Sequence, residues 1–286
     1  MRIDQGKRVG IFIPTLNAES EIDRIVTEIK KSLVPLANLY IIDSNSTDDT
    51  VAILGKDNIM FKVIQRENFS HGHVRNEAAE HFRNKVDYLV MLTQDVIFTA
   101  QAIDQLILGI VNNPRVGISY GQQRSTKLNT VEYYDRVFSY PDHSQLKSKA
   151  DIPKLGASTY FSSDAFSIYR LDALFDVGNF PVDINFAEDV YVAGKMILKE
   201  WDIFYNARAK VIHNNVSDYK DLFRRYKHIS RFYHEQAWLS ENFGGNSDKG
   251  RRLVVFEIKE AFRKHSITLL YDVIVSSLIK LLAYFL

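Results

Sequence analysis

Three aspartates stand where a carboxylate has to be accounted for. Asp43 closes the apolar run Leu39-Tyr40-Ile41-Ile42, Asp95 ends Thr93-Gln94-Asp95 after a second such run, and Asp189 follows Glu188 ahead of Val192, Met196 and Ile197. A charge ending a buried strand is costly unless paired, hydrogen-bonded or metal-bound. Hard cations such as Mg²⁺ or Mn²⁺ take oxygen ligands and often use only one or two protein carboxylates. A carboxylate can also serve as a base toward a hydroxyl. Each aspartate taken singly reads as well as a helix cap or a first-turn acid favoured by the helix dipole. Their joint placement is harder to dismiss, because Thr15-Leu16-Asn17-Ala18-Glu19 follows yet another apolar run.

The elements that must position these groups alternate. Val9–Ile13 reads as a strand ended by Pro14, an amphipathic stretch covers about 20–31, and Thr47 is placed to cap a short helix through Leu54. Further strands are expected at 59–64, 88–92 and 116–120, with helices at about 74–83 and 100–112. Apolar strands alternating with helices imply an α/β doubly wound parallel sheet, whose ligand sits beyond the carboxyl ends of the strands. Residues 122–163 lack clear periodicity; their mixed aromatic and polar groups suit an acceptor site or a plain loop equally.

Composition excludes several classes. In 286 residues, 46% are hydrophobic and 25% charged, enough for a substantial core. The net charge of +1 gives no global field for nucleic acid. Without cysteine there are no disulfides, thiolate metal sites or thiol nucleophiles, which suits the cytoplasm. Met1 to Arg8 lacks the apolar core of a secretory signal, so export is not expected.

The C-terminal portion carries a separate signal. Residues 218–241 read as a helix mixing Lys220, Arg224, Arg225, Lys227 and Arg231 with aromatics, which suits a membrane surface or a solvated face over ordinary packing. Gly244-Gly245-Asn246-Ser247 breaks the chain, dividing it into 1–243 and a helical extension, 244–286. In that extension Thr268, Asp272, Ser276 and Lys280 recur every four residues and leave a broad apolar face to be covered by lipid or protein. Peripheral membrane attachment or self-association, for instance as a homodimer, is expected.

Pro14-Thr15-Leu16-Asn17, Ile41 to Asp48 and Leu92-Thr93-Gln94-Asp95 together resemble the inverting family 2 glycosyltransferases of the GT-A fold. Phe69 to Asn76, Phe186-Ala187-Glu188-Asp189-Val190 and a late His213 resemble the rhamnosyltransferase branch more narrowly. The resemblance spans roughly 8–235 and rests on order and spacing, since each motif alone is weak.

The resemblance implies a mixed, mainly parallel sheet and a metal-dependent inverting glycosyltransferase. Its donor would be a nucleotide-sugar, dTDP-L-rhamnose by the narrower match, and its acceptor a lipid-linked surface polysaccharide at the inner face of the membrane. Glucose, galactose or N-acetylhexosamine donors and an inactive carbohydrate-binding scaffold are the alternatives. Asp95, with His213, would hold Mg²⁺ or Mn²⁺; the usual Asp-x-Asp has Thr93 in its first place. His213 reads equally as an ordinary hydrogen-bonded residue. Asp189 would be the base and Glu188 an orienting or acceptor-binding neighbour. Thr15, Asn17, Glu19, Asp43 and Gln94 would meet the nucleotide. Arg75 and Asn76, at a helix start after Gly72, suit phosphate or sugar contact. His71 and His73 could join that contact or be surface residues of a flexible loop, and for His73 the loop is the stronger reading.

Overall fold

The computed structural model describes residues 8–214, 218–245 and 247–285; Met1 to Lys7 and Asn246, on which two of the readings above fall, lie outside them. In chain order the described elements are β1 (Val9–Thr15), α1 (Glu19–Lys31), β2 (Leu39–Asp43), α2 (Thr50–Lys56), β3 (Met60–Val63), α3 (His71–Phe82), β4 (Tyr88–Leu92) and α4 (Ala100–Val111). Then follow β5 (Val116–Arg124), α5 (Val131–Ser139), β6 (Gln145–Lys147), α6 (Ile152–Leu155), β7 (Phe166–Arg170), α7 (Leu171–Asp176), α8 (Glu188–Leu198) and β8 (Asp202–Ile212). Four helices end the chain: α9 (Tyr219–Glu235), α10 (Ala237–Phe243), α11 (Ser247–Arg263) and α12 (Ile267–Phe285).

The eight strands form one sheet in the order β3-β2-β1-β4-β7-β5-β8-β6. β7 runs antiparallel to both β4 and β5, and β6 antiparallel to β8; the others are parallel. The sheet is therefore mixed where strand patterning alone predicted a parallel one, because an inserted β7 is as apolar as its neighbours. Period-two alternation sends Ile11 and Ile13 to the layer with α1 and α4, and Phe12 to the layer with α3 and α8. α1 buries Ile22, Ile25, Val26 and Ile29, one helical stripe.

Some local expectations fail for identifiable reasons. α2 begins at Thr50, not at a Thr47 cap, because Asp48 holds both the N–H (3.1 Å) and the hydroxyl (2.5 Å) of Thr50 while the Thr47 N–H donates to Asn17 Oδ1 (2.9 Å). His71 and His73 open α3 rather than lying in a loop, since the Ser70 hydroxyl caps the His73 N–H at 3.1 Å. Gly72 sits inside that first turn, where an added Cβ would lie 2.1 Å from the Pro181 carbonyl oxygen. Residues 122–163 hold α5, β6 and α6 and extend β5.

Candidate active site

Strand order reverses between β1 and β4, so the loops that follow them border a crevice at the carboxyl edge. The Gln94 amide locks the two loops together. Its Oε1 accepts from the Leu16 N–H at 2.8 Å and its Nε2 donates to the Leu16 carbonyl at 2.9 Å. Asp43 is fully buried and accepts from the Thr15 hydroxyl (2.8 Å), the Ser46 N–H (2.8 Å) and the Ser46 hydroxyl (2.6 Å). Asn17, at φ +50°, and Glu19 tie the same loop to 47–49 and remain exposed. Of the residues expected at the nucleotide, Asp43, Thr15 and Gln94 are therefore occupied in shaping the rim, and Asn17 and Glu19 are exposed beside it.

Asp95 and His213 come together although they are far apart in sequence. His213 Nε2 lies 3.1 Å from Asp95 Oδ2, with the imidazole mostly covered and the carboxylate half exposed. Partial burial pushes the Asp95 carboxyl up, but the hydrogen bond and charge of His213, with Thr93, hold it down at about 2. The other ring nitrogen, Nδ1, is 2.9 Å from Gln123 Oε1, which also accepts from Arg136 Nη1 at 2.6 Å. Nδ1 also lies 3.3 Å from Arg136 Nη2, which can only donate, so the contacts fit either tautomer: Nε2 donates to the Asp95 carboxylate or, unprotonated, faces it as a second lone-pair donor for a cation. A carboxylate oxygen and an imidazole nitrogen are groups that could hold a divalent cation. Among the described residues no group of three or more His, Asp or Glu side chains that could hold a metal ion is found.

A bridge of hydrogen bonds joins this pair to Asp189. Gln123 Nε2 donates to the Ser163 hydroxyl (2.9 Å), and the next residue's N–H, that of Asp164, donates to Asp189 Oδ2 (3.3 Å). Asp189 Oδ1 accepts its neighbour's N–H, that of Val190, at 2.8 Å. The half-buried Asp189 is thus aimed by two backbone donors, one from the segment entering β7 and one from the start of α8. Ala187 reaches α8 through a left-handed conformation at φ +62°, which is unusual for a residue with a Cβ and sets the angle at which the acidic pair leaves the loop.

Behind Asp189 lies a buried ionic cluster. Arg75 is only 5% exposed and pairs directly with Glu188, while its Nε is 3.4 Å from Asp164 Oδ2. Asp164 Oδ1 accepts from the hydroxyls of Ser167 and Tyr169, both at 2.7 Å. Burial raises the Asp164 carboxyl, and Arg75 opposes that effect. Arg75, expected at a phosphate or sugar, here faces two buried carboxylates. Glu188 is 3% exposed and pairs with Arg75, the arrangement of an orienting neighbour. Asn76 likewise holds the loop before α8, donating to the Phe180 carbonyl at 2.6 Å. Sequence reasoning missed Asp164, and covered Gln123, Arg136 and Ser163 only as part of the 122–163 stretch, without individual roles. The available signal was an acidic residue just before the apolar β7, which needed the antiparallel pairing to acquire meaning.

An eight-stranded mixed sheet with a switch-point crevice, a carboxylate–imidazole pair and a separately aimed carboxylate defines a glycosyltransferase of the GT-A type. The family model described as glycosyl transferase family 2 matches residues 10–178, more than half of the chain, and the chain belongs to that family. It is 33% identical over 255 residues to the O-antigen chain rhamnosyltransferase RfbN of Salmonella typhimurium, covering 88% of this chain and 81% of that protein. To the O-antigen chain rhamnosyltransferase WbaN of Salmonella anatum it is 34% identical over 253 residues, 87% of this chain and 79% of that one. Among solved structures, it is similar to the mannosyltransferase PcManGT of Pyrobaculum calidifontis in complex with GDP-Man and Mn²⁺, at a TM-score of 0.63 and 14% identity, over 99% of this chain and 88% of that one. Glucosyl-3-phosphoglycerate synthase of Mycobacterium tuberculosis, solved with Mn²⁺ and UDP, matches at a TM-score of 0.54 and 17% identity over 80% of each chain. At those identities the two structures bear on the fold.

Proposed function

We propose that this glycosyltransferase moves L-rhamnose from dTDP-L-rhamnose, with inversion, onto a sugar hydroxyl of a lipid-linked surface polysaccharide, working in the cytoplasm. The observation that carries the reading is the hydrogen-bonded bridge from Asp95 and His213 through Gln123 and Ser163–Asp164 to Asp189. The bridge supports reading Asp95 with His213 as the pair for a cation and Asp189 as the base. Two O-antigen chain rhamnosyltransferase relatives above 30% identity support the choice of a rhamnosyl donor.

Asp95 and His213 would hold Mg²⁺ or Mn²⁺, which when bound neutralises charge on the departing diphosphate. Asp189 takes the acceptor hydroxyl proton as the acceptor oxygen bonds to the anomeric carbon and the bond to the diphosphate oxygen breaks on the opposite face. The backbone donors from Asp164 and Val190 keep its carboxylate turned toward that proton. The rim built by Thr15, Leu16, Gln94 and Asp43 supports the base and ribose.

The test is Asp189→Asn assayed with dTDP-rhamnose beside a panel of glucose, galactose and N-acetylhexosamine nucleotides. Turnover is expected to fall by about 10²–10⁴ with nucleotide affinity unchanged. Retained turnover would remove Asp189 as the base, and preference for another sugar would remove rhamnose as the donor.

A further inference from the structure

We propose that the outer face of α12, with the basic flank of α9, is a docking surface for an anionic lipid bilayer. This goes beyond the rhamnosyl reading and does not depend on it. Ile267, Tyr271, Ile274, Leu278, Leu282 and Phe285 are all exposed, Ile267 at 84% and Phe285 at 78%. Their spacing of three and four residues puts them on one side of the helix. Of the polar stripe, Thr268 is exposed, whereas Asp272, Ser276 and Lys280 point the other way. Ser276 is buried, Asp272 accepts from the Tyr219 hydroxyl at 2.9 Å, and the Lys280 ammonium lies over the Tyr226 ring at 5.5 Å, near the buried Glu257. Asp272 and Lys280, the charges that interrupt the apolar pattern, thus have protein partners, and the outward face is left to meet something apolar.

By length and composition α12 is able to cross a membrane. However, Tyr219–Asp272 at one end and the Ser230 hydroxyl on the Tyr284 carbonyl (2.8 Å) at the other tie it alongside α9. It lies flush with the domain, presenting about 28 Å of helix sideways.

Charge complementarity selects the occupant. Residues 219–286 hold twelve Lys and Arg against seven Asp and Glu, whereas the rest of the chain holds 24 against 28, so the net +1 conceals +5 on this part and −4 on the remainder. Lys220, Arg224, Lys227 and Arg231 repeat on one side of α9, and the first two border an open concavity of about 420 Å³ with Tyr219, Phe223 and Ile279 of α12. Two copies meeting through this face would bring like charges together, whereas acidic headgroups neutralise them. Exposed Tyr271 and Tyr284 suit the headgroup boundary. α5 connects the surface to the site: Tyr134 packs on Leu269 and Val273, and two residues on, Arg136 bonds Gln123 and lies 3.3 Å from His213. Docking would therefore fix the crevice close to the bilayer.

The full chain is tested by vesicle flotation with phosphatidylglycerol-containing and pure phosphatidylcholine membranes. Binding is expected to the anionic vesicles, weakened by salt. Leu278→Ser/Leu282→Ser and, separately, Lys220→Glu/Lys227→Glu are expected to weaken it about tenfold or more. All four positions are exposed, so circular dichroism should match the parent. Equal binding to neutral vesicles, resistance to alkaline carbonate as for a spanning helix, or a lipid-indifferent dimer that Leu278→Ser/Leu282→Ser dissociates would each overturn the proposal.

Discussion

At the scale of single residues, burial decides which polar groups serve the site and which serve the scaffold. Asp95, in the turn three residues past β4, keeps half its side chain in solvent and faces an imidazole, whereas Asp43, the last residue of β2, is sealed behind three hydrogen bonds. Nothing in the local pattern of either residue separates these outcomes. His71 shows the cost of burial directly. Desolvation first, then Arg75 and Arg66, push its imidazole down from 6.5 to about 4, and Nδ1 has no hydrogen-bond partner among the described residues. Because the folded value lies below the unfolded one, this neutral histidine contributes stability that is fully present above pH 6.5 and is lost as pH falls toward 4. His71→Phe should therefore flatten urea-denaturation stability between pH 6.5 and 4, where the parent loses up to about 3 kcal/mol from this group. An unchanged pH slope in the variant would show that His71 is not the source.

At the scale of elements, α3 and α8 are locked by charge rather than by apolar stripes alone. Gly72 lets the 181–184 backbone approach the first turn of α3, and Arg75, one turn later, meets Glu188 at the start of α8. A buried pair is weak evidence for stability as such, yet removing one partner strands the other. Arg75→Met should destabilise by about 3–5 kcal/mol, while Arg75→Met/Glu188→Leu should recover part of that loss. Chemical denaturation of the single and double variants measures it. Equal losses in both would mean that the two charges do not act as a pair.

At the scale of the whole molecule, the C-terminal helices belong to the packing of the catalytic layer as well as to its surface. Tyr134 of α5 shares a small core with Ala261, Leu269 and Val273 of α11 and α12. Ending the chain at Gly245 should uncover this core and lower unfolding free energy by at least about 3 kcal/mol, taking about 1.5–3 kcal/mol for each large apolar group exposed. An unchanged urea midpoint would instead make the last two helices an independent appendage.

Local chemistry alone determined the strands β1 to β5, the helices between them and the acidic residues at their carboxyl ends, because apolar periodicity and turn residues act within a few positions. It also determined that the last helix would carry two unlike faces. Tertiary structure decided the rest. Inserting β7 antiparallel brought Asp164 to Asp189 and Ser163 to Gln123, contacts between segments 25 to 40 residues apart. The same packing spent Arg75 on Glu188 and turned the polar face of α12 inward against Tyr219 and Tyr226. A periodic pattern specifies that two faces differ; which one is buried depends on whether a distant partner offers apolar surface or hydrogen bonds.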